Sequence, residues 1–421
     1  MNGGNLDPAL WRGLTQRRLG RRALLRGAGL LGAAAALGAC GVQGTSKKQA
    51  ATPDSLASFW SRQTKAGLLN FANWPLYIDV EKVNGKDTHP TLDQFTKQTG
   101  IKVNYKEVIE DNDSFLGKIL PSLRAGQDTG WDLMVITNGP PLARLMRGNY
   151  LIPLDHAKLP NFAANAGSAF KNPSYDPGNR YTLAWQAGLT GIAYNPKLTK
   201  RPITSFNDLF DPAFKGRVGM FGDSLDLPNF AMVGLGINPE KSTPDDWRRT
   251  AAKLKEQRDQ GLVRKYLDNS GEAEALSKGE VWLSMAYSGD IYQLQQSGSP
   301  DLRFVVPREG AVLWNDNMCI PAHAKHPLDA LTYMDYVYRP EVAGKLAESI
   351  NYITPVPAAK QQIEKDAAAA SGDDKASLQA LASSELIFPT QADFAKVHRY
   401  RELTPDEERT WDGIFQPIYQ S

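Results

Sequence analysis

The apolar and polar positions of residues 66–141 alternate in a way that predicts strands arranged around a helix. GLLNFANW predicts a strand that ends at Asn73 and Trp74, TLDQFTKQTG predicts a helix stopped by Gly100, and IKVNYKEVIE predicts a second strand. WDLMVITNGPP, residues 131–141, predicts a buried strand that runs into a turn. A strand, helix, strand order is typical of a parallel sheet covered by helices.

The same order returns after residue 187, so we expect an α/β fold with two sheets rather than one. Strands are predicted at TGIAYNP, RVGMFGDS, VWLSMAYSGD and LRFVVP, and helices at SFNDLFDPAFKG, PNFAMVGLG and DDWRRTAAKLKEQ. Residues 328–350 predict two helices divided at Arg339 and Pro340, and residues 366–385 predict an exposed helical segment of low complexity.

Residues 1–39 predict an export signal. Arg21 and Arg22 precede a stretch of small apolar residues, as in a twin-arginine signal peptide, and this stretch is too short to span a bilayer stably. LGAC, residues 37–40, resembles the cleavage box of a bacterial lipoprotein, with a plain signal peptide and an incidental cysteine as the alternative. We expect the mature protein to begin at lipid-bearing Cys40, outside the cytoplasmic membrane, and to continue as a flexible tether over residues 40–65.

Much of the positive charge of the chain belongs to that signal. The sequence holds 48 basic and 46 acidic residues, a net charge of +2, and residues 1–39 contribute six arginines and one aspartate. The remaining 382 residues therefore carry 42 basic and 45 acidic side chains, a net charge of −3. No basic stripe remains that would predict nucleic-acid binding. The second cysteine, Cys319, has no disulfide partner, and its apolar neighbours predict a buried, inert thiol.

Catalytic signatures are absent from the sequence, which lacks the G-x-S-x-G, P-loop, complete G-x-G-x-x-G and H-E-x-x-H patterns. His323 and His326 lie beside a lysine, and we interpret them as solvated side chains rather than metal ligands. Asp111 and Asp113 lack the glycine and the terminal glutamate of a calcium loop, so we interpret them as a helix cap with Ser114. No metal and no cofactor are predicted.

Polar and aromatic residues recur where apolar runs end, which is where ligands bind in open α/β sheets. These residues are Trp74, Thr137, Asp223, Tyr287, Asp290 and Asp316. Asp223 and Asp226 are three apart at a strand-to-helix junction, where an acid also serves as a helix cap, and the same alternative applies to Asp290. Because clustered carboxylates repel each other unless a cation neutralises them, the pattern predicts a cation-binding cleft.

Asp316 lies inside AVLWNDNMCIPAHA, residues 311–324, which otherwise predicts a buried strand. A buried carboxylate costs several kcal/mol unless it is paired, so Asp316 requires either an internal Arg or Lys or a cationic ligand. Trp314 precedes it, and NWPLY supplies Trp74 and Tyr77. Aromatic faces attract ammonium groups and pack against methylenes, although single aromatics after strands are more often core residues.

Eight segments in sequence order resemble the spermidine/putrescine-binding proteins of polyamine ABC transporters, over residues 66–421. They are NWPLY, TKQTGIKVNYKE, WDLMVIT, FNDLFDPAFKGRV, GDSLD, GEVWLSMAYSGD, WNDNMCIPAHA and YMDYVYRPEVAGKLAESINYITP. The resemblance implies a two-lobed periplasmic-binding-protein type II fold, with a ligand cleft between lobes joined by crossover hinge segments. It also implies a monomer that binds a polyamine and delivers it to an ABC permease without chemistry.

The resemblance implies roles for individual residues. Four aromatic residues would line the cleft and flank the methylene groups of the ligand: Trp74, Tyr77, Trp314 and Tyr352. Asp223 and Asp226 would form one ammonium pole and Asp316 the opposite pole. Tyr287 stands where the family commonly has tryptophan.

Three departures from the family pattern bear on the ligand. Thr137 is followed by Asn138 and Gly139 where the family has an aromatic residue, and Ala187 replaces a tryptophan of the hinge region. Asp290 resembles the putrescine-preferring branch, in which a Gly-Asp pair follows the aromatic residue. We expect a roomier and more acidic site that fits spermidine, spermine or another oligoamine better than putrescine.

Two alternatives remain open. One is a binding protein for another small cationic or amino-acid-derived solute, such as an opine, or for a metal chelate, with ferric iron disfavoured because no Tyr-Tyr pair is present. The other is a secreted hydrolase that uses Asp223 and Asp290 as an acid/base pair. The predicted lobes are residues 66–186 with 317–362, and residues 187–316 with 363–421.

Overall fold

The computed structural model describes residues 53–267 and 271–420. The predicted signal peptide and Cys40 lie outside the described residues. Helix α1, Pro53–Ser61, occupies part of the predicted tether, because its apolar residues Leu56, Phe59 and Trp60 recur at helical spacing. It belongs to a first compact unit that ends at Arg62, and the residues from Gln63 onward form a second compact unit.

The strands of the second unit supply the frame on which its helices pack. Those that the structure describes are β1 Leu68–Asn73, β2 Glu81–Val83, β3 Lys86–Thr88, β4 Lys102–Glu107, β5 Leu133–Thr137, β6 Thr182–Tyr194, β7 Val218–Phe221, β8 Val263–Leu267, β9 Leu283–Tyr287, β10 Arg303–Val305, β11 Ala311–Cys319 and β12 Val397–His398.

The helices fill the connections between these strands and the C-terminal part of the chain. Those described after α1 are α2 Pro90–Thr99, α3 Asn112–Arg124, α4 Pro140–Arg147, α5 Pro160–Asn165, α6 Pro196–Thr199, α7 Asp226–Gly234, α8 Pro244–Asp259, α9 Gly271–Ser277, α10 Ser288–Gln296, α11 Pro327–Tyr336, α12 Pro340–Ile350, α13 Ala359–Ala369, α14 Gly372–Ser383, α15 Gln391–Phe394 and α16 Pro405–Tyr419. No helix in these ranges combines the length and the apolar character that crossing a bilayer requires.

A single continuous sheet joins ten of these strands, where the sequence led us to expect two sheets. Its order is β4-β1-β5-β11-β6-β9-β7-β8, with β10 paired to β6 and β12 to β11, while β2 and β3 form a separate hairpin. The reason is the length of β6 and β11, which have 13 and 9 residues. They pair with each other, and β11 continues to β5 while β6 continues to β9, so each strand serves both halves of the sheet.

The predicted parallel pairing is present in both halves. Strand β1 is parallel to β4 and β5, and β7 is parallel to β8 and β9. The predicted helix stop at Gly100 is confirmed, because that residue adopts a left-handed conformation with φ of 77°. The helix predicted over SFNDLFDPAFKG is instead two 3₁₀ turns, Phe206–Phe210 and Pro212–Phe214. Pro212 disfavours a helical conformation at Asp211, which is extended.

The predicted helix over residues 366–385 is two helices, α13 and α14, separated at Ala370 and Ser371. It is also not wholly exposed, because Leu381 and Ala382 are buried against Ile363, Ile387 and other apolar residues. A repetitive, alanine-rich composition is therefore compatible with one packed face.

The pairing between β6 and β11 contains a β-bulge in the middle of the sheet. Asp316 pairs with Gln186 but Asn317 pairs with Ala184, which leaves Trp185 as an extra residue on β6. Bulges increase the local twist and redirect side chains. This bulge lies where the two long strands cross from one half of the sheet to the other, and it is where the candidate site begins.

Candidate ligand-binding site

The candidate site lies around the two long strands, and one of its residues is placed differently from the prediction. Asp316 lies inside β11, with three residues of the strand after it, rather than at the end of an apolar run. Thr137 ends β5 as predicted and is directly opposite Asp316 in the sheet. The central position of Asp316 in the sheet follows from the antiparallel pairing of β11 with both β5 and β6.

The carboxylate of Asp316 is buried and is bound by hydroxyl groups. The hydroxyl of Tyr77 donates to Oδ2 at 2.7 Å, and Oγ1 of Thr137 donates to Oδ1 at 2.6 Å. Among the described residues, no Lys, Arg or His forms an ion pair with it. Burial raises the pKa of Asp316 to about 6, and the two hydrogen bonds oppose that rise. The internal basic partner that the sequence left as an alternative is therefore not found in the described part of the chain.

Asp226 is also buried and accepts three hydrogen bonds from hydroxyl groups. Thr190 Oγ1 donates at 2.5 Å and Tyr400 at 2.8 Å to Oδ1, while Tyr287 donates at 2.8 Å to Oδ2. Burial raises the pKa of Asp226, and these hydroxyls act against the rise. Asp226 is the first residue of α7, whose apolar sequence places it inside the protein.

Asp223 lies just before α7, whose N-cap position is occupied by Leu225. Its Oδ1 accepts hydrogen bonds from the backbone N–H groups of Leu225 at 2.7 Å and Asp226 at 2.5 Å. Asp223 is therefore not the N-cap residue that the spacing allowed as an alternative, although it binds backbone N–H groups at the start of α7. Burial, and after it the negative charge of Asp226, raise the pKa of Asp223 to about 7, and hydrogen bonds from backbone N–H groups oppose the rise. The two acids are thus close together, and no basic residue of the described chain pairs with either.

Asp290 is not a helix N-cap, because Tyr287 occupies that position of α10 and Asp290 lies in the first helical turn. Its Oδ1 accepts a hydrogen bond from the hydroxyl of Tyr352. Gly289 allows this approach, since a Cβ at that position would lie 2.7 Å from the tyrosine ring. Tyr352 is held in turn by Ile353, whose backbone exchanges two hydrogen bonds of 2.9 Å with Ala187 of β6.

Four aromatic rings connect the acidic groups in a continuous row. Trp314 lies with its ring centroid 5.5 Å from Tyr287 on one side and 5.5 Å from Tyr352 on the other. Tyr77 follows, 5.9 Å from Tyr352. Gly188 makes room for the indole, because a Cβ there would lie 2.2 Å from the Trp314 ring. The row therefore runs from the hydroxyl partner of Asp226 to the hydroxyl partner of Asp316.

Trp74 is the one predicted aromatic residue that the contacts do not join to this row. Its indole N–H donates to the carbonyl of Val135 at 3.0 Å, and its ring packs against a core that includes Ile109 and Phe115. Within residues 53–267 and 271–420, Trp74 shares no hydrogen bond with the acidic residues of the site and no ring contact with the aromatic row. The contacts of Trp74 are therefore those of a core residue, which was the alternative interpretation of an aromatic residue after a strand.

Other predicted features can be placed as well. Asp111 caps α3 by accepting from the Ser114 N–H at 2.8 Å, as predicted. Cys319 is buried, and burial raises the pKa of its thiol, which fits the predicted inert group. His326 is not simply solvated, because its Nδ1 lies 2.9 Å from Oδ2 of Asp132. No group of three or more His, Cys, Asp or Glu side chains in the described ranges could hold a metal ion.

Sequence reasoning missed three residues around the site: Thr190, Glu272 and Tyr400. Thr190 is within a long buried strand, and Tyr400 lies in an irregular segment far along the chain. Glu272 lies at the start of α9, where acids are common for local reasons, yet it is fully buried. The negative charge of Asp290 is, after burial, the main cause that raises the pKa of Glu272. The pattern of apolar residues in the sequence does not indicate any of these three residues.

The described site contains five buried or half-buried acids and no basic partner for any of them. Such an arrangement is suited to a cationic organic molecule, whose ammonium groups would meet carboxylates while its apolar parts contact the aromatic row. Tyrosine and threonine hydroxyls donate to the carboxylates without neutralising them.

Comparison with known proteins agrees with this chemistry. Residues 91–371 match the family described as bacterial extracellular solute-binding protein. The spermidine/putrescine-binding periplasmic protein of Escherichia coli is 30% identical over 301 residues, which cover 71% of this chain and 81% of the relative. The putrescine/agmatine-binding protein of Pseudomonas aeruginosa is 28% identical, over 73% of this chain and 83% of its own.

The fold also resembles that of a solved substrate-binding protein. The structure of the spermidine/putrescine ABC transporter substrate-binding protein from Streptococcus pneumoniae aligns with a TM-score of 0.68 at 23% identity, covering 84% of this chain and 98% of that one. The predicted α/β fold of the type II periplasmic-binding-protein class is thereby confirmed. The chain belongs to the bacterial extracellular solute-binding proteins and, within them, to the family of spermidine/putrescine-binding periplasmic proteins.

Proposed function

We propose that this protein is an extracytoplasmic solute-binding protein that captures a polyamine of the spermidine/putrescine class and delivers it to an ABC permease. It performs no chemistry on the ligand. The observation that carries the proposal is the set of buried carboxylates bound by tyrosine and threonine hydroxyls, with no Lys or Arg paired to them in the described ranges. A polyamine supplies the missing positive charge.

The proposed poles lie at the two ends of the aromatic row. Asp316, with Tyr77 and Thr137, receives one ammonium group, and Asp226 with Asp223 receives another. Between them the ligand's methylene groups pack against Trp314, Tyr287 and Tyr352. Asp290 fixes the orientation of Tyr352 by accepting a hydrogen bond from its hydroxyl.

The proposed site lies between two lobes that close on the ligand. Lobe 1 comprises residues 66–186 and 317–362, and lobe 2 comprises residues 187–316 and 363–421. Strands β6 and β11 carry the chain between them. On this division Asp316 lies at the end of the lobe 2 segment, Thr137 in lobe 1, and Asp226 in lobe 2, so one ligand contacts both lobes.

The experiment that tests this function is thermal unfolding of the full chain with added amines. A ligand that binds only the native state raises stability by RT ln(1 + [L]/Kd), so putrescine, spermidine and spermine are expected to raise the melting temperature. 1,4-Butanediol, which has the carbon chain of putrescine without charge, is the matched control and should not. Equal, negligible shifts with all of these compounds would refute polyamine binding.

We further propose that the mature protein is a monomer attached to the cell membrane through lipid on Cys40. Cys40→Ser is expected to release the protein into the soluble fraction, because a single buried thiol, Cys319, cannot carry an accessible lipid. Cys319→Ser is the control and should leave the protein in the membrane fraction. Membrane retention of the Cys40→Ser variant would remove the lipid anchor from the proposal.

A further inference from the structure

Asn138 follows the last residue of β5 and is fully buried. Its backbone N–H donates to the carbonyl of Asn315 at 3.0 Å, and its side-chain Oδ1 accepts from the Asn315 N–H at 2.8 Å. In an antiparallel ladder this second bond would go to the backbone carbonyl of Asn138. The side chain takes the place of that carbonyl, because the chain leaves the sheet at Gly139, where φ is 103°.

The pair formed by Asn138 and Asn315 continues the ladder beside the Asp316 carboxylate. Thr137 and Asp316 lie opposite each other in β5 and β11, and the asparagine pair comes next along both strands. On the other side of β11, the pairing with β6 is interrupted by the bulge between Asp316 and Asn317. The contacts with β5 are therefore the regular ones that fix the backbone of β11 at this point.

The neighbours of Asp316 in β11 are held on the opposite face of the sheet. Nδ2 of Asn315 donates to the hydroxyl of Tyr175 at 2.7 Å, and this hydroxyl donates to Oδ1 of Asn317 at 2.8 Å. Nδ2 of Asn317 donates to the carbonyl of Ile136 at 3.3 Å. Side chains alternate along a strand, so these bonds hold β11 from behind and leave the Asp316 side chain on the face of the site.

The Asn138-Gly139 pair stands where the family resemblance places an aromatic residue. Gly139 has little room for a side chain, because a Cβ there would lie 3.1 Å from Leu225 and 3.6 Å from Tyr400. Its positive φ also favours glycine. The end of β5 therefore has no aromatic wall in this chain and has instead an amide side chain that binds β11.

We propose that Asn138 is a positioning residue for the ammonium pole at Asp316. By holding Asn315, it keeps that carboxylate within reach of the Tyr77 and Thr137 hydroxyls. The inference rests on the proposed polyamine function and adds to it a residue that acts through Asp316. Binding groups need hydrogen bonds behind them that hold them within about 0.5 Å of the productive geometry. Without its side chain, the buried N–H of Asn315 loses its acceptor, and β11 is free to shift.

The first test is a double-mutant cycle on spermidine binding, measured by calorimetry. Asn138→Ala should weaken binding about tenfold in the otherwise unaltered protein, the loss expected for one unsatisfied buried N–H. In the Asp316→Asn background the same change should cost less than about twofold, because the charge that Asn138 positions is already absent. Equal losses in both backgrounds, or no loss in the unaltered protein, would overturn the inference.

Gln257→Ala is the matched control for the loss of a buried amide. Gln257 is fully buried in α8, and its Nε2 donates to the carbonyl of Leu209 at 2.7 Å. In the described part of the chain it forms no hydrogen bond with a residue of the site, so its variant should unfold at a lower temperature and bind spermidine normally. If it loses as much affinity as Asn138→Ala, the effect is general destabilisation and the positioning role is wrong.

Asn138→Ser replaces Asn138→Ala if the alanine variant does not fold. The serine hydroxyl is polar but ends one bond short of the position of Oδ1, so the N–H of Asn315 still lacks its acceptor. The same non-additivity with Asp316→Asn is expected, and its absence counts against the inference in the same way.

A second readout is the pH dependence of affinity, which a purely structural role would not change. The Tyr77 and Thr137 hydroxyls oppose the rise that burial causes in the pKa of Asp316, which is about 6. In Asn138→Ala the carboxylate is displaced from them and its pKa rises further, so the increase in affinity near pH 6 should move to higher pH. An increase that stays near pH 6 contradicts the positioning role.

Failure of the inference and failure of the proposed function give different results. If spermidine does not bind the unaltered protein, the proposed function has failed and the role of Asn138 falls with it. If spermidine binds the unaltered protein and binds Asn138→Ala equally well, the function stands and the inference alone is wrong.

Discussion

At the scale of single residues, Asp316 is explained by what surrounds it. It is a carboxylate inside a buried strand, and its partners are the neutral hydroxyls of Tyr77 and Thr137. These two hydrogen bonds lower the pKa of Asp316, but burial raises it by more. The pKa is therefore raised to about 6. A buried carboxylate without a basic partner carries an uncompensated charge when it is ionised, and this costs stability.

Replacement of Asp316 by Asn should separate binding from stability. Asparagine keeps the shape and removes the charge, so polyamine binding should weaken by about 2 to 5 kcal/mol while the melting temperature of the ligand-free protein changes little or rises. Calorimetry and thermal unfolding on the same variant measure both quantities. A variant that unfolds at lower temperature but binds normally would make Asp316 a structural residue.

Sequence reasoning at this scale found acids that follow apolar residues in the sequence and missed residues whose place in the site is set by distant contacts. Asp223 and Asp316 were indicated in this way, although the structure places Asp316 inside β11 and not at its end. Tyr400 binds Asp226 from a position 174 residues away in the chain, and no local period predicts such a contact. Glu272 has the ordinary appearance of an acid in a first helical turn, and only its burial distinguishes it.

At the scale of elements, two glycines adjust the aromatic row. Gly188 lies on β6 under the Trp314 ring, and Gly289 lies in the first turn of α10 against the Tyr352 ring. Both have ordinary negative φ angles, so their role is to leave space rather than to allow an unusual backbone conformation. The resemblance places a Gly-Asp pair at residues 289 and 290, and the structure supplies a steric reason for the glycine.

Gly289→Ala should therefore weaken ligand binding although alanine favours helices. The new Cβ would lie 2.7 Å from the Tyr352 ring, which must move and lose its hydrogen bond to Asp290. We expect polyamine affinity to fall about tenfold, the effect of roughly 1.4 kcal/mol from one lost hydrogen bond to a charged group.

The control for this change is Gly413→Ala in α16, where a Cβ meets nothing within 4 Å. That substitution should stabilise the helix by about 1 kcal/mol and leave binding unchanged. Calorimetry on the two variants decides the matter. Wild-type affinity in Gly289→Ala would show that Tyr352 tolerates displacement and does not contact the ligand.

A second element-scale contact links α4 to α16. Glu408 binds Arg147 at 2.9 Å and Arg144 at 3.5 Å, and Arg147 also donates to the carbonyl of Leu403 at 2.6 Å. In the proposed division α4 belongs to lobe 1 and α16 to lobe 2. These ion pairs then join the lobes directly and resist their separation.

Glu408→Gln should accelerate ligand release while leaving association nearly unchanged. Partly exposed ion pairs contribute about 1 kcal/mol or less, so a dissociation rate two- to fivefold higher is expected in stopped-flow experiments. Asp406→Asn is the control, because Asp406 pairs with Arg409 within α16 alone. If both variants release ligand at the wild-type rate, the α4–α16 contact does not hold the lobes together.

Elements with a regular local pattern of apolar residues were predictable from the sequence. The full length of the strand that joins the two halves of the sheet was not. Strands such as β1 and β5 and the stop at Gly100 follow from local sequence. Only the TGIAYNP end of β6 was predicted, because its preceding residues, TLAWQAGL, show no alternation. Since the joining of the sheet depends on that missed length, the sequence suggested two sheets where one is present.

At the scale of the whole molecule, the fold class followed from strand and helix order together with the family resemblance. The charge balance of the site could not be predicted from the sequence, since it depends on which acids lie together in one buried region of the folded chain. Asp223 has its pKa raised to about 7 and Asp316 to about 6, against an ordinary value of 3.8. Burial is the main cause for both, so the ligand-free protein holds protons that the unfolded chain has already released.

The stability of the ligand-free protein should consequently fall as the pH rises. A raised pKa in the folded state means that the folded protein binds more protons than the unfolded chain between about pH 4 and pH 7. This stability is complete below pH 3.8 and is lost as pH passes through 6 and 7. Glu402, whose pKa burial also raises to about 7, contributes to the same decline.

The affinity for polyamine should change with pH in the opposite direction to the stability of the ligand-free protein. This difference distinguishes the site from the rest of the protein. Ammonium groups require ionised carboxylates, so polyamine affinity should increase from pH 5 to pH 8 and level off above the pKa of Asp223. Protons released in calorimetry should decrease over the same range. In Asp316→Asn the rise near pH 6 should be reduced while the rise near pH 7 remains. An affinity independent of pH would mean that the acids are already ionised before the ligand arrives, and the positive charge that offsets their burial would then have to come from the protein itself.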